Sequence, residues 1–219
     1  VNLMAKIVVC DLGIGNLRSV VRALERSSAA TITVETDALR LLEADVIVVP
    51  GQGAFRDGAA ALARGFGEAI RNHVSAGRPY LGICLGMQLL FDTSDEAPGA
   101  AGLGIFPGHV ARIQPVHANG KPSLKVPHIG WNTVNAPEPN DGTKGPTSAL
   151  APLFGKQVYF AHSFVAEPRD LTCVAATVDY GHKLVCAVAR DNIVAVQFHP
   201  EKSQRAGLAF LDAWLGRLS

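Results

Sequence analysis

No apolar run in this 219-residue sequence approaches the roughly 20 residues that a helix needs to cross a bilayer. The first residues also lack the basic, apolar and small-residue succession of a secretory leader. We therefore expect a cytoplasmic protein with no membrane role. Charge is scarce as well: charged residues make up 18% of the chain and the formal net charge is +1, which offers neither a basic face for nucleic acid nor an acidic tail. The four cysteines, Cys10, Cys84, Cys173 and Cys186, have no close paired spacing of the zinc-site kind. Each lies in an apolar, strand-like stretch, as the reduced thiols of a cytosolic protein do, and no metal is expected. The loop Asp11-Leu12-Gly13-Ile14-Gly15-Asn16 lacks the third glycine of a dinucleotide fingerprint. No nucleotide or other cofactor is expected, and no internal repeat is present.

What is present is alternation. Apolar, β-branched runs at Lys6 to Cys10, Thr31 to Glu35, Asp45 to Pro50 and Tyr80 to Ile83 are separated by stretches with helical spacing. These stretches start at Leu17 and at Asp37, then cover Ala54 to Arg64 and Phe66 to Ala76. Strands alternating with helices imply a doubly wound α/β fold with a mostly parallel sheet and helices on both faces. Beyond an acidic surface loop at Thr93 to Ala101 the character changes. Short strand-like runs at His109 to Ile113, Trp131 to Asn135, Gln157 to Phe160, Thr172 to Thr177, Leu184 to Ala189 and Ile193 to Phe198 read as added antiparallel strands, which makes the sheet mixed. Ala136 to Pro146 is the best candidate for a mobile loop, and Ser203 to Leu215 closes the chain as a helix. We read residues 1–219 as one domain.

The stretch Pro79 to Phe91 organises the rest. An apolar strand ends at Cys84 between Gly82 and Gly86, and Leu85, Gln88, Leu89 and Phe91 then recur at helical spacing. The glycines clear a tight backbone path on either side of the sulfur, giving a strand-turn-helix elbow. Near the first turn of a helix, unpaired N–H groups favour a thiolate, and Gln88 shares the face of Cys84 one turn on. Taken alone, the same segment also describes a small buried core cysteine. Gly51-Gln52-Gly53 follows a buried strand, at the carboxyl edge where ligand sites of open α/β sheets gather. It reads either as an ordinary turn or as a source of backbone donors for an oxyanion.

A base stands far along the chain. In Gln197-Phe198-His199-Pro200-Glu201-Lys202-Ser203, residues i and i+2 of an extended segment project to one side, so Glu201 reaches the ring of His199 while Pro200 stiffens the turn. Cys84, His199 and Glu201 are the parts of a nucleophile, base and orienter triad.

Gly82-Ile83-Cys84-Leu85-Gly86-Met87-Gln88 together with Phe198-His199-Pro200-Glu201 resembles the class I (triad) glutamine amidotransferases. Within them the chain is similar to the glutaminase subunits of imidazole glycerol phosphate synthase. That narrower resemblance covers nearly the whole chain. It rests on Asp11 to Val20, on Pro50-Gly51-Gln52-Gly53, and on Met87 to Phe91. It rests further on Pro127-His128-Ile129-Gly130-Trp131-Asn132, Tyr159-Phe160-Ala161-His162-Ser163 and His199-Pro200-Glu201-Lys202-Ser203. The resemblance implies hydrolysis of L-glutamine through a thioester on Cys84, with His199 as base then acid and Glu201 orienting it. It assigns the Gly51, Gln52 and Gly53 loop and the Leu85 N–H to the oxyanion hole, and Gln88, His162 and Ser163 to the amino-acid end of glutamine. It also implies direct passage of ammonia to a (β/α)₈ cyclase subunit in a heterodimer, with Asn16, Trp131, Tyr159 and Lys202 at or near that contact.

Two other readings stand beside this one. Another class I amidotransferase, such as an anthranilate synthase subunit, is opposed by the Trp131 block and Lys202-Ser203. A non-enzymatic subunit is opposed by the intact Cys84, His199 and Glu201. Departures from the family pattern are few: Leu12 and Phe164 stand where tyrosine is common, and Gln52 where valine is common. Gln52 lies in the oxyanion loop and bears on how that loop rearranges.

Overall fold

The computed structural model describes residues 5–28, 30–115, 117–118, 121–122, 124–137 and 147–218. Its first half runs β1 (Lys6–Cys10), α1 (Leu17–Ser27), β2 (Thr31–Glu35), β3 (Val46–Gly51), α2 (Phe55–Ala61), α3 (Gly67–Ser75), β4 (Tyr80–Cys84) and α4 (Leu85–Gln88). The second half adds the short strands β5 (Thr93–Ser94), β6 (Gly108–Arg112), β7 (His117–Ala118) and β8 (Lys121–Pro122). There follow β9 (His128–Asn135), β10 (Gln157–His162), β11 (Phe164–Pro168), β12 (Val174–Asp179), β13 (Lys183–Arg190), β14 (Ile193–Val196) and α5 (Gln204–Leu215). Among the described residues the main sheet takes the order β10-β9-β12-β13-β14-β4-β3-β1-β2, and β11, β6 and β5 branch from β13. From β14 to β2 the pairings are parallel, and from β13 to β10 they are antiparallel. The sheet is therefore mixed, as the composition of the two halves implies.

Period-two alternation decides which residue faces which layer. Val9, Val48, Leu81, Ile83 and Val196 belong to the core on the side of α1 and α5. Val8, Ile47, Val49, Tyr80 and Ala195 belong to the core that takes up Phe55 and Ile70 from α2 and α3. Both faces are buried, which is why these strands read as continuous apolar runs.

Four expectations change in detail. The helix after Cys84 lasts only from Leu85 to Gln88. The amides of Leu90 and Phe91 turn back to the carbonyls three residues before them, while the carbonyls of Leu89 and Leu90 accept from Leu103 N at 2.7 Å and Ile105 N at 2.9 Å. That cross-chain capping ends the helix. The acidic stretch from Thr93 is not wholly surface loop, since Thr93–Ser94 pairs with β6 and Ala97 is buried. The strand expected up to Phe198 stops at Val196, because Gln197 N turns to Cys186 O and His199 N to Tyr159 O, each at 2.9 Å. The strand Phe164–Pro168 stands where no strand is expected, since Glu167 and Pro168 break its apolar pattern. Of the loop Ala136 to Pro146, residues 138–146 lie outside the described residues.

The helix α5 supports the end of β14 through aromatic rings: Phe198 meets Phe210 at 6.0 Å and Phe160 at 5.9 Å between centroids, both edge to face. All three are fully buried. Phe210→Ala is expected to cost about 3–5 kcal/mol, read as a lower urea midpoint with unchanged slope. A loss below about 1 kcal/mol would show that the ring stack contributes little.

Candidate active site

The carboxyl ends of β3, β4 and β14 lie side by side, with Gly51 in register with Cys84 and Val196 in register with Ile83. This common edge gathers the site. Cys84 leaves β4 with φ 53° and ψ −104°, a conformation that L-residues rarely adopt and that persists only where the surroundings impose it. The surroundings here are two glycines. A Cβ at Gly86 would lie 1.8 Å from the carbonyl oxygen of Val49, and one at Gly82 would lie 2.7 Å from that of Gly86. The Tyr80 hydroxyl donates to Gly86 O at 2.7 Å and ties the far side of the elbow to its own strand.

His199 follows the departure from β14. Its Nδ1 lies 2.8 Å from Glu201 Oε1, with the two side chains only 3% and 5% exposed. The turn Pro200–Lys202 is held by Ser203, whose hydroxyl donates to His199 O at 2.6 Å and accepts from Tyr159 N at 3.0 Å. Burial pulls the imidazole pKa down, but the Cys84 thiol and the Glu201 carboxylate outweigh it and raise the pKa to about 9. With Nδ1 committed to Glu201, Nε2 makes no ordinary hydrogen bond and is left to interact with the thiol.

The other three cysteines have no such setting. Burial pushes the thiols of Cys10 and Cys186 far up and that of Cys173 to about 11, which keeps them protonated and unreactive. Cys84 also accepts a hydrogen bond on its sulfur, from Gln197 Nε2 at 3.5 Å. Gln88, one turn past Cys84, does not reach the sulfur. Its Nε2 donates to Gln197 Oε1 at 3.1 Å and to Phe164 O at 3.2 Å.

The remaining candidates fall into two groups. Asn16, Gly51 and Gln52 line a crevice shared with His199 and Glu201, and Leu85 opens α4 directly after Cys84. Lys202 Nζ donates to Gln52 Oε1 at 3.0 Å and lies 5.8 Å from the centre of the Tyr159 ring, which meets Trp131 edge-on at 6.1 Å. Gln52, Lys202, Tyr159 and Trp131 thus form one continuous surface leading away from the triad. Trp131 itself is 44% exposed and lies outside the catalytic crevice. His162 points into the core, where Nδ1 donates to Phe164 O at 2.9 Å, and Ser163 O accepts from Ile113 N.

Two contributors are new. Gln197 lies in the run expected as strand, and an amide there with 0% exposure needs partners. Glu96, in the acidic stretch, accepts from Phe55 N at 2.7 Å and so fixes the start of α2 just after the Gly51 to Gly53 loop. Its partner is 41 positions away, and nothing local marks it.

The raised pKa of His199 carries a sign. A histidine raised from 6.5 to about 9 stabilises the fold fully below pH 6.5, and the contribution is lost as pH rises through about 9. Glu201→Gln removes one of its causes. The variant is expected to be less stable than the parent at about pH 6, with the gap closing above about pH 9, as measured by urea unfolding across that range. A pH-independent gap would show that Glu201 does not act through the imidazolium.

Known proteins resemble this chain over nearly its whole length. The model of the class-I glutamine amidotransferase family matches residues 8–214. Imidazole glycerol phosphate synthase subunit HisH of Syntrophotalea carbinolica is 46% identical over 211 residues, spanning 94% of this chain and 97% of that protein. The protein of the same name from Geobacter sulfurreducens is 44% identical, spanning 95% and 97%. Among solved structures, PurLQS from Thermotoga maritima superposes with a TM-score of 0.70 at 18% identity, covering 99% of this chain and 100% of that one. A glutamine amidotransferase crystal structure gives a TM-score of 0.67 at 21% identity, covering 95% and 98%. At such identities these two structures speak for the fold alone. With a family model spanning β1 to α5 and relatives this similar over nearly their full length, the chain belongs to the class-I glutamine amidotransferases.

Proposed function

We propose that the chain is the glutaminase subunit of an imidazole glycerol phosphate synthase, acting in the cytoplasm as a heterodimer with a (β/α)₈ cyclase that receives its ammonia. The observation that carries the reading is the His199–Glu201 pair at 2.8 Å beside the strained Cys84 elbow. Likeness to the HisH subunits supports the choice of synthase.

In this reading the Cys84 sulfur attacks the side-chain carbonyl carbon of L-glutamine, and the thiol proton goes to His199. An imidazole raised to about 9 keeps that proton at neutral pH. The oxyanion of the tetrahedral intermediate is met by N–H groups of the Gly51 to Gly53 loop and of Leu85, a type of contribution of about 2.7–4 kcal/mol per donor. As the C–N bond breaks, His199 protonates the leaving nitrogen and ammonia departs, leaving a γ-glutamyl thioester. Water then attacks the thioester, His199 takes its proton, glutamate leaves, and the proton returns to the sulfur. Glu201 holds the ring in place throughout. Gln88 and the His162-Ser163 segment border the amino-acid end of the substrate. Ammonia protonated in bulk water is no nucleophile, which is the chemical reason for handing it directly to a partner.

Trp131, Tyr159 and Lys202 supply the partner face, with Asn16 close to it. The bond from Lys202 to Gln52 ties that face to the oxyanion loop, so a partner that engages Lys202 alters the loop.

Cys84→Ala is expected to abolish glutamine-dependent synthesis by the complex and to leave ammonia-dependent synthesis intact. Equal loss of both would overturn the division of labour. Glutamine turnover by the isolated chain is expected to be low and to rise on addition of the cyclase with its nucleotide ligand. Full activity without partner would show that the loop needs no repositioning.

A further inference from the structure

Two motifs take no part in the triad, although the second supplies His162 and Ser163 to the proposed substrate site: Pro127 to Asn132 and Tyr159 to Ser163. The structure pairs them, because β9 and β10 run antiparallel with His128 in register with His162. The two rings meet inside the protein, His128 Nδ1 lying 3.0 Å from His162 Nε2. Both are buried, and His128 is stacked between Phe160 at 4.7 Å and Tyr180 at 4.0 Å.

One atom settles every donor and acceptor in this region. The carbonyl oxygen of Phe164 can only accept. It receives Nδ1 of His162 at 2.9 Å and Nε2 of Gln88 at 3.2 Å. His162 therefore carries its proton on Nδ1, its Nε2 is bare, and the hydrogen between the rings belongs to His128 Nδ1. His128 Nε2 is then the acceptor for Asn132 Nδ2, at a long 3.4 Å, and the same amide nitrogen donates to Asp179 O at 2.8 Å. On the other side, Gln88 presents its NH₂ to Phe164 O, so the oxygen of Gln197 faces Gln88 Nε2 and the NH₂ of Gln197 faces the Cys84 sulfur. No amide in this chain can flip without losing a partner.

We propose that Gln197 is a further catalytic residue, whose amide N–H donates to the Cys84 sulfur and aims it for attack, and that Gln88, His162, His128 and Asn132 are positioning residues that hold this amide through the Phe164 carbonyl. The chain needs both imidazoles neutral. Burial pulls His128 down to about 4, and burial first, then the neighbouring imidazoles, pull His162 to about 3, so neither carries charge at neutral pH. A neutral pair suits the site, since a second imidazolium near His199 would oppose the one that must form there. Strand β9 carries the far end of the chain on its inward side and Ile129 and Trp131 on its exposed side. The positioning network therefore begins behind the face assigned to the partner.

This inference rests on the glutaminase reading and is tested in ways that separate the two. In the intact protein, long-range ¹H–¹⁵N spectra of the imidazoles are expected to show His128 and His162 both as Nδ1–H tautomers with bare Nε2. An Nε2–H tautomer at either ring overturns the chain whatever the protein's activity. In the complex with cyclase, Gln197→Met keeps side-chain length but removes the N–H, and is expected to lower kcat for glutamine about 10–100-fold with KM changed less than about twofold. His128→Phe keeps the ring stacking, removes the donor, and is expected to lower kcat about fivefold or more with the same split. His128→Asn, which restores a donor, is expected to recover part of that loss. Because His128 acts through Gln197, the double variant should be no slower than Gln197→Met alone. Multiplying losses, or losses appearing only in KM, overturn the proposal. Failure of the parent complex to hydrolyse glutamine overturns the function reading and leaves the tautomer result standing.

Discussion

The backbone of Cys84, held at φ 53° and ψ −104°, is the constraint on which the site depends. The abrupt turn sets Cys84 at the sheet edge, beside the ends of β3 and β14. Strain of this kind costs on the order of 1–3 kcal/mol, and the close contact of Gly86 with Val49 O, with no room for a methyl group, shows how tightly the packing enforces it. Parallel strands buried on both faces provide the rigidity. Such strands end together, so residues far apart in sequence, Gly51, Cys84 and the segment after Val196, arrive at one place.

From that edge two polar arms run in different directions. One is charged and short: Cys84, His199 and Glu201, with the imidazole pushed up to about 9. The other is neutral and long, from the Cys84 sulfur through two glutamine amides, one carbonyl, two imidazoles and an asparagine amide to the backbone at Asp179. A buried polar chain is stable only when every member is satisfied, and here each donor meets an acceptor. The two arms share the sulfur and differ in charge.

Much of this was legible in the sequence, for reasons that differ by element. β1, β2 and β4 were readable because β-branched and apolar residues run between glycine, proline and charge, and the elbow because glycines flank a single cysteine. The His199-Pro200-Glu201 unit was readable because a spacing of two in extended chain is a local geometric fact. The branch β11 was not, since a strand carrying Glu167 and Pro168 is stabilised by its pairing with β6 rather than by its own pattern. The end of α4 was not, because the carbonyls that stop it are capped by residues 103 to 106, a contact that helical spacing cannot reveal. His162 illustrates the limit most clearly. Its place in a motif was visible, while the direction of its ring was set by a carbonyl two residues on and by a second imidazole across the sheet.

The sequence by itself determined the alternating architecture, the glycine-flanked turn at Cys84 and the pairing of His199 with Glu201, because periodicity, glycine placement and short spacings are local properties of the chain. Only the tertiary structure decided that Gln197 rather than Gln88 faces the sulfur, that Lys202 is tied to Gln52, and that the rings of His128 and His162 meet. Those outcomes depend on partners 34, 113 and 150 positions apart meeting across strand ends. The physical reason is that a hydrogen bond's direction is fixed by its partner, and the partners are chosen by packing.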